Sequence, residues 1–374
     1  MDYAAATPVA KEVLTAMQPF WSEQFYNPSA NYLAAKNVKK VLDEARASLA
    51  HWLGARANEI IFTAGGSEAD NLAITGVMSQ YPNANLVISG LEHDAILKTA
   101  TEFNCSVTLI TGEGRVDIND LLAKIDDQTV LVSVMLANNE IGTLQPLRDI
   151  SHKLGEIKSR RRQNGNSLPL YLHTDASQAA NYMDLHVSRL GVDLMSLNGG
   201  KIYGPKQSGA LYVSSKVKLV PLIRGGGQER GLRSGTENVA ADIGLARALE
   251  LVQSDRHVEA ARLQELQQLA YRLIGEKLPG AYINGSTKQR LPNNLHIILP
   301  GQDNERLLVE LDECGIMAAA GSACSADSAE PSHVLRAIGL SDAEARSSLR
   351  LTMGRQTTEV DIIRVISVLV ELAG

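Results

Sequence analysis

The chain has 374 residues, of which 36 are lysine or arginine and 42 aspartate or glutamate, for a formal net charge of −6. A hydrophobic content of 44% with 21% charged residues excludes disorder, collagen and coiled coil as whole-chain descriptions. The mild acidity argues against an electrostatic binder of nucleic acid, which needs a concentrated basic face.

The length predicts about two domains, each able to bury a core. The three cysteines, Cys105, Cys314 and Cys324, are too few and too odd in number for a disulfide framework. A reducing compartment is therefore expected, with room for one cysteine to serve through its reactivity. The opening Met1-Asp2-Tyr3-Ala4-Ala5-Ala6-Thr7-Pro8 has neither a basic nor an apolar signal region, and no run nears the ~20 apolar residues of a membrane span. The expectation is a soluble, cytoplasmic protein with no membrane partner.

In chain order, Val38, Val41, Leu42, Ala45, Leu49, Trp52 and Leu53 form one apolar stripe and predict a helix over 38–53. Short β-branched runs at 59–63, 86–89, 107–110, 130–134, 170–174, 193–197 and 209–213 predict seven strands. Their continuous rather than alternating apolar character suggests a sheet covered on both faces. Strands alternating with helical patterns imply a mostly parallel α/β sheet in the first two-thirds. The segment 159–167, with three arginines among glycine and asparagine, reads as an exposed loop. A helical stretch over 237–277 is expected to break near Ser254 and Asp255. A strand at 294–299, a helix at 304–312 and closing helices from Asp342 and Thr358 then suggest a smaller α+β unit.

Several motifs fall at strand ends. Thr63-Ala64-Gly65-Gly66-Ser67-Glu68 follows a strand and opens a helix, so its free N–H groups favour an anion; equally, Ser67 can cap the helix. His93 follows the second strand, Asp175 and Gln178 the fifth, and Lys201 the sixth, where open α/β sheets place ligands. A lysine in a glycine-flanked turn there needs a partner or a covalent use. The covalent use is a Schiff base, and a nearby aspartate is what a pyridoxal phosphate ring nitrogen requires.

Taken together, ten ordered motifs resemble the NifS/IscS-like cysteine desulfurases of the class V, fold-type I pyridoxal-phosphate group. They are Asp2 through Pro8, Asn27-Pro28-Ser29, 62–71, Glu92-His93, Asn138-Asn139-Glu140-Ile141-Gly142, His173 through Gln178, Lys201 through Lys206, 225–236, Gly321-Ser322-Ala323-Cys324-Ser325 and Ser347-Ser348-Leu349-Arg350. The resemblance implies a mostly parallel seven-stranded sheet in a large cofactor-binding domain (12–255). It also implies a smaller α+β domain (1–11 and 256–374) carrying Cys324. Lys201 is then the covalent anchor of pyridoxal 5'-phosphate and moves the Cα proton. Asp175 pairs with the ring nitrogen, His93 stacks on the ring, and Gln178 bonds its phenolic oxygen. Gly66 and Ser67 hold the phosphate, joined by Asn198 and by Thr236 from the partner subunit of a homodimer. Asn139 and Arg350 orient the substrate carboxylate. Cys324 takes the sulfur of L-cysteine as a persulfide, releasing L-alanine, and passes it to an acceptor protein; Cys105 and Cys314 read as buried packing residues. Iron–sulfur cluster assembly, tRNA thiolation and DNA sulfur modification all begin with this chemistry. No metal is implied. Selenocysteine lyase, cystine C–S lyase and a non-catalytic partner-binding homologue are the alternative readings on the same scaffold.

The chain departs from the family pattern Ser-Gly-His-Lys, which here reads Asn198-Gly199-Gly200-Lys201. Both replaced side chains normally serve the cofactor phosphate. Losing one charge-assisted contact costs on the order of 1.5–3 kcal/mol, about one to two decades in affinity. Tyr26 stands where glycine is usual, Tyr32 stands near a frequent histidine, and the 159–167 stretch is longer than usual.

Overall fold

The computed structural model describes residues 1–321 and 331–373. Cys324 lies outside them, so the sulfur-acceptor assignment has no structural counterpart here. The apolar runs form β1 (Ile60–Thr63), β2 (Asn85–Ser89), β3 (Cys105–Thr108), β4 (Thr129–Ser133), β5 (Tyr171–Asp175), β6 (Leu194–Asn198) and β7 (Gly209–Val213). They make one sheet in the order β1-β7-β6-β5-β4-β2-β3. Strands β2 through β6 pair in parallel, while β7 runs antiparallel to both β6 and β1. Every residue of β1, β4 and β7 is buried, as expected of strands covered on both faces.

Strand β3 begins earlier than the apolar pattern suggests. Val107 and Leu109 are exposed at the sheet edge, and Ile110 makes only an isolated bridge to Val116. Hydrophobicity at an edge marks neither burial nor the strand's end. The first long helix, Leu33–Leu53, starts five residues before the predicted stripe and buries Val38, Leu42, Leu49 and Leu53.

Two further expectations are corrected. The helix Val239–Lys277 runs unbroken for 39 residues through Ser254 and Asp255. Ser254 Oγ donates to the Leu251 carbonyl at 3.0 Å, and Asp255 pairs with Arg355 at 3.5 Å. The amide of neighbouring Gln253 donates to the Ala180 and Met183 carbonyls. The polar residues are thus satisfied without leaving the helix. The 159–167 segment is likewise not a loop throughout, because the helix Leu147–Gln163 enters it. Arg160 and Arg162 are exposed, but Arg161 is buried at 3%. Its guanidinium donates to the Thr129 and Asp126 carbonyls, pinning the helix to the start of β4.

Beyond the long helix a second sheet, antiparallel in the order β10-β9-β8, is built from β8 (Tyr282–Ile283), β9 (Asn294–Ile298) and β10 (Ser348–Thr352). The helices Asn304–Glu313 and Glu359–Ala373 pack on it. The first residues of the chain run beside β10: Thr352 N donates to the Met1 carbonyl at 2.8 Å, and Ala4 N to Thr352 Oγ1 at 2.9 Å. One buried cluster continues from the large sheet through the long helix to β9 and β10. Cys105 and Cys314 are half-buried rather than fully buried packing residues. Burial pushes the Cys105 thiol up to about 11. Among the described residues no helix is long and apolar enough to cross a membrane.

Candidate active site

The carboxyl ends of the parallel strands open on a cavity lined by Gly66, Ser67, His93, Asn139, Asp175, Gln178, Asn198, Lys201 and Arg350, with Ala4, Ala5, Asp70, Met135 and Ser177 between them. Ten of the eleven predicted site residues lie in described segments, and nine of these line it. Thr236, assigned to a partner subunit, is exposed and does not face this cavity.

Each side chain is placed by the backbone that delivers it. Asp175 ends β5 and accepts the Ser177 N–H at 2.8 Å, which fixes the turn leading to Gln178. Lys201 closes a 3-10 turn, Gly199–Lys201, directly after β6. Its ammonium donates to the Ala4 carbonyl at 2.9 Å and the Ala5 carbonyl at 2.6 Å. Gln178 also donates to the Ala4 carbonyl, at 3.0 Å. The N-terminal segment therefore forms one wall of the cavity.

His93 is the N-cap of the helix Asp94–Ala100, its Nδ1 accepting the Ala95 N–H at 3.1 Å. With Nδ1 an acceptor, the ring proton is carried by Nε2. On the opposite side, Ser67 does not cap its helix, Gly66–Met78; the N-cap is Gly65 and makes no side-chain bond. Of the two readings of this turn, the capping one is removed.

Arg350 is 1% exposed on β10 and reaches across from the small sheet. One of its terminal nitrogens donates to the Asn139 carbonyl at 3.1 Å and the other to Asp2 at 2.8 Å, while Nε has no partner. A carboxylate binding there shares the guanidinium with Asp2.

Behind Asp175 lies a buried polar layer that the sequence does not announce. His173, two residues earlier on β5, sits between Ser133 Oγ at 2.9 Å and Ser196 Oγ at 3.0 Å, with Asp70 at 3.7 Å. Burial pulls the imidazole down to about 3, so the ring is neutral. Asp70 is pushed well above the usual carboxylate range by burial and then by the nearby Asp175. Glu92 is pushed to about 8 by burial, although it accepts the Met135 N–H at 2.7 Å. Glu140 is raised by burial too, against the opposing bond from Ser332 Oγ at 2.6 Å. Asp70, Glu92 and Glu140 fall inside motifs noted above, but no spacing signals their burial, which depends on partners from distant strands.

The residues fit pyridoxal phosphate. Asp70 Oδ1 and Ser177 Oγ are buried, line the cavity and have no hydrogen-bond partner. A Cβ on Gly66 would lie 3.2 Å from Ser177 Oγ and 3.2 Å from Asn198 Cβ, so any side chain there would press on both neighbours at the first helical turn. An amine, a carboxylate and a helix N-terminus thus face one space, matching an aldehyde, a basic ring nitrogen and a phosphate. These features define a pyridoxal-phosphate-dependent enzyme.

The family model described as Aminotransferase class-V matches residues 1–365. Cysteine desulfurase IscS from Clostridium botulinum (strain Hall) is 42% identical over 99% of this chain and 92% of its own length. Among solved structures, a NifS-like protein superposes with a TM-score of 0.90 at 29% identity, covering 99% of this chain and 98% of that one. A structure described as SspA in complex with cysteine gives 0.81 at 35% identity, covering 94% and 97%. The chain belongs to the class-V aminotransferase family.

Proposed function

We propose that the chain is a cysteine desulfurase that converts L-cysteine to L-alanine and holds the sulfur as a persulfide on Cys324. The observation that carries this reading is the meeting of Lys201, Asp175, His93 and Arg350 in one cavity at the ends of β2, β5 and β6 and against β10. The 42% identity to a protein named cysteine desulfurase, and the likeness to one solved with cysteine, support the substrate.

Lys201 anchors the cofactor, Asp175 supplies the anion beside its ring nitrogen, and Gly66, Ser67 and Asn198 serve its phosphate. When bound, pyridoxal phosphate supplies an electron sink for charge developing at the substrate Cα. The Lys201 amine would serve as the base that takes the Cα proton. His93 exchanges protons through Nε2, its Nδ1 being committed to Ala95. Gln178 bonds the phenolic oxygen. Arg350, with Asn139 beside it, holds the substrate carboxylate through charge-assisted bonds.

The Cys324 thiolate attacks the substrate sulfur. An S–S bond forms and the C–S bond breaks with its electron pair left on Cβ; a proton added at Cβ balances the one lost in making the Cys324 thiolate, and the Lys201 amine returns its proton to Cα to give alanine. The sulfur then passes to an acceptor protein. The working form is a homodimer, in which Thr236 of each subunit serves the other's phosphate site. Residues 12–255 act as the cofactor domain, and 1–11 with 256–374 as the smaller one.

Purified protein given L-cysteine should release alanine and accumulate protein-bound persulfide. Lys201→Ala should abolish both and the cofactor's visible absorbance band. Alanine release that survives Cys324→Ala unchanged would sink the acceptor role of Cys324. The acceptor is identified by following radiolabelled sulfur from the loaded enzyme into other proteins.

A further inference from the structure

The turn that opens the helix Gly66–Met78 gathers more donors than the residues named so far. Ser177 is 6% exposed and its hydroxyl has no partner, yet it lies 3.2 Å from the point a Gly66 Cβ would occupy. Asn198 Nδ2 lies 3.3 Å from the same point. Asn198 spends its Oδ1 on the Gly200 N–H at 3.0 Å, which leaves its NH₂ as the group turned toward the helix start. The N–H groups of Gly66, Ser67 and Glu68 have no partners within the helix, and the helix dipole adds positive potential there.

All these donors are neutral, and Gly200 offers no side chain to add a charge. Lys206 shares the wall of the adjoining cleft with Gly66, Ser67, Asn198 and Gly200. A Cβ on Gly200 would lie 3.7 Å from Lys206 Cγ, so a side chain at 200 and the Lys206 stem would be ordinary neighbours. The Lys206 ammonium donates to the Thr7 carbonyl, and Thr7 N donates to the Gly200 carbonyl at 3.0 Å. An ammonium carries three N–H donors, so the Thr7 bond does not exhaust those of Lys206 beside this cleft.

We propose that Ser177 and Lys206 complete a phosphate cup at this turn, Ser177 as a buried neutral donor and Lys206 as the cation on the wall of the adjoining cleft. The proposal rests on the pyridoxal phosphate reading of the cavity and names two further residues for that group. It supplies a cation beside a turn in which Asn198-Gly199-Gly200 brings none.

The test compares apoprotein binding of pyridoxal phosphate with binding of pyridoxal, which lacks the phosphate, by absorbance titration. Lys206→Met keeps the aliphatic stem and should weaken pyridoxal phosphate roughly tenfold or more, with pyridoxal changed less than about twofold. Ser177→Ala should weaken pyridoxal phosphate about fivefold with the same selectivity. Gly200→His added to Lys206→Met should restore the lost affinity. Equal weakening of both ligands assigns these residues a structural role and overturns the cup, as does Lys206→Met with unchanged affinity for pyridoxal phosphate. If the wild-type protein binds pyridoxal but shows no preference for its phosphate ester, the cup is absent. Wild-type protein that binds neither ligand removes the cofactor reading itself, and the cup with it.

Discussion

The Asp2 carboxylate accepts a hydrogen bond from the Arg350 guanidinium at 2.8 Å, across 348 residues of sequence. Arg350 is among the most deeply buried large side chains of the protein, and Asp2 is its only carboxylate partner among the described residues. Removing Asp2 leaves a buried guanidinium without its counter-charge. Asp2→Ala should destabilise the protein by about 2–4 kcal/mol, toward the lower end because the aspartate is partly solvated. Thermal unfolding of the two proteins at one concentration measures this. Equal melting temperatures would show that the cavity already neutralises Arg350 by other means.

A second ion pair ties residues far apart. Arg46 donates through two nitrogens to the two oxygens of Glu229, both at 2.6 Å, and Phe62 N donates to the same carboxylate at 2.9 Å. The guanidinium also lies over the Phe62 ring at 4.6 Å. Glu229 holds φ at +47°, a conformation costly for a side-chain-bearing residue. Breaking the pair by Glu229→Ala should cost about 3–5 kcal/mol. Arg46→Met with Glu229→Met should cost clearly less than the two single changes summed. Urea unfolding of the four proteins decides it, and strict additivity contradicts a coupled pair.

Glu92 gives stability a pH dependence of known sign. Buried, it stays protonated in the fold to about pH 8, whereas the unfolded chain ionises it near 4.5. Its contribution is fully present below about 4.5 and is lost as pH rises toward 8, at up to ~1.4 kcal/mol per pH unit. Glu92→Gln keeps an acceptor for the Met135 N–H and removes the titration. The variant should match wild type near pH 5 and exceed it by about 2–4 kcal/mol at pH 8. Parallel stability curves over this range would refute the assignment.

The three consecutive arginines separate by burial alone. Arg161→Ala removes the guanidinium donor from the Thr129 and Asp126 carbonyls, of which Asp126 keeps the Thr129 N–H at 3.2 Å, and should cost about 1–3 kcal/mol. Arg160→Ala and Arg162→Ala, at exposed positions, should stay within about 0.5 kcal/mol of wild type. Denaturation midpoints of the three variants test the ranking directly.

The arginines also illustrate what a sequence discloses. Their composition reads as a solvated loop, and for Arg160 and Arg162 the exposure agrees. Arg161 is different only because carbonyls from the 126–129 turn wait beneath it, and no local pattern reports that. The strand-end residues Asp175 and Lys201 were legible because an α/β sheet sends its loops to one edge, so chemistry follows from order along the chain. Asp70 and Glu92 were not, since an acid's burial reflects partners such as His173 and Met135 that arrive from other strands. The continuous helix through Ser254 and Asp255 fails for the same reason in reverse. Polar residues there look like a break until Arg355, a hundred residues on, is seen to meet one of them.

The wall that Ala4 and Ala5 give to the Lys201 cavity has a consequence for the order of events in synthesis. That wall is held by Thr352 on β10, and the guanidinium facing it comes from Arg350 on the same strand. A nascent chain that has already made β1 through β7 carries Lys201 and Asp175 with neither the wall nor the guanidinium in place. Closing a loop of almost the entire chain is the last contact that can form, and it costs only slightly more entropy than closing a shorter one. Completion of the substrate-carboxylate site is thereby deferred until translation is nearly finished, and a chain truncated before β10 should fail to turn over L-cysteine even where it holds the cofactor.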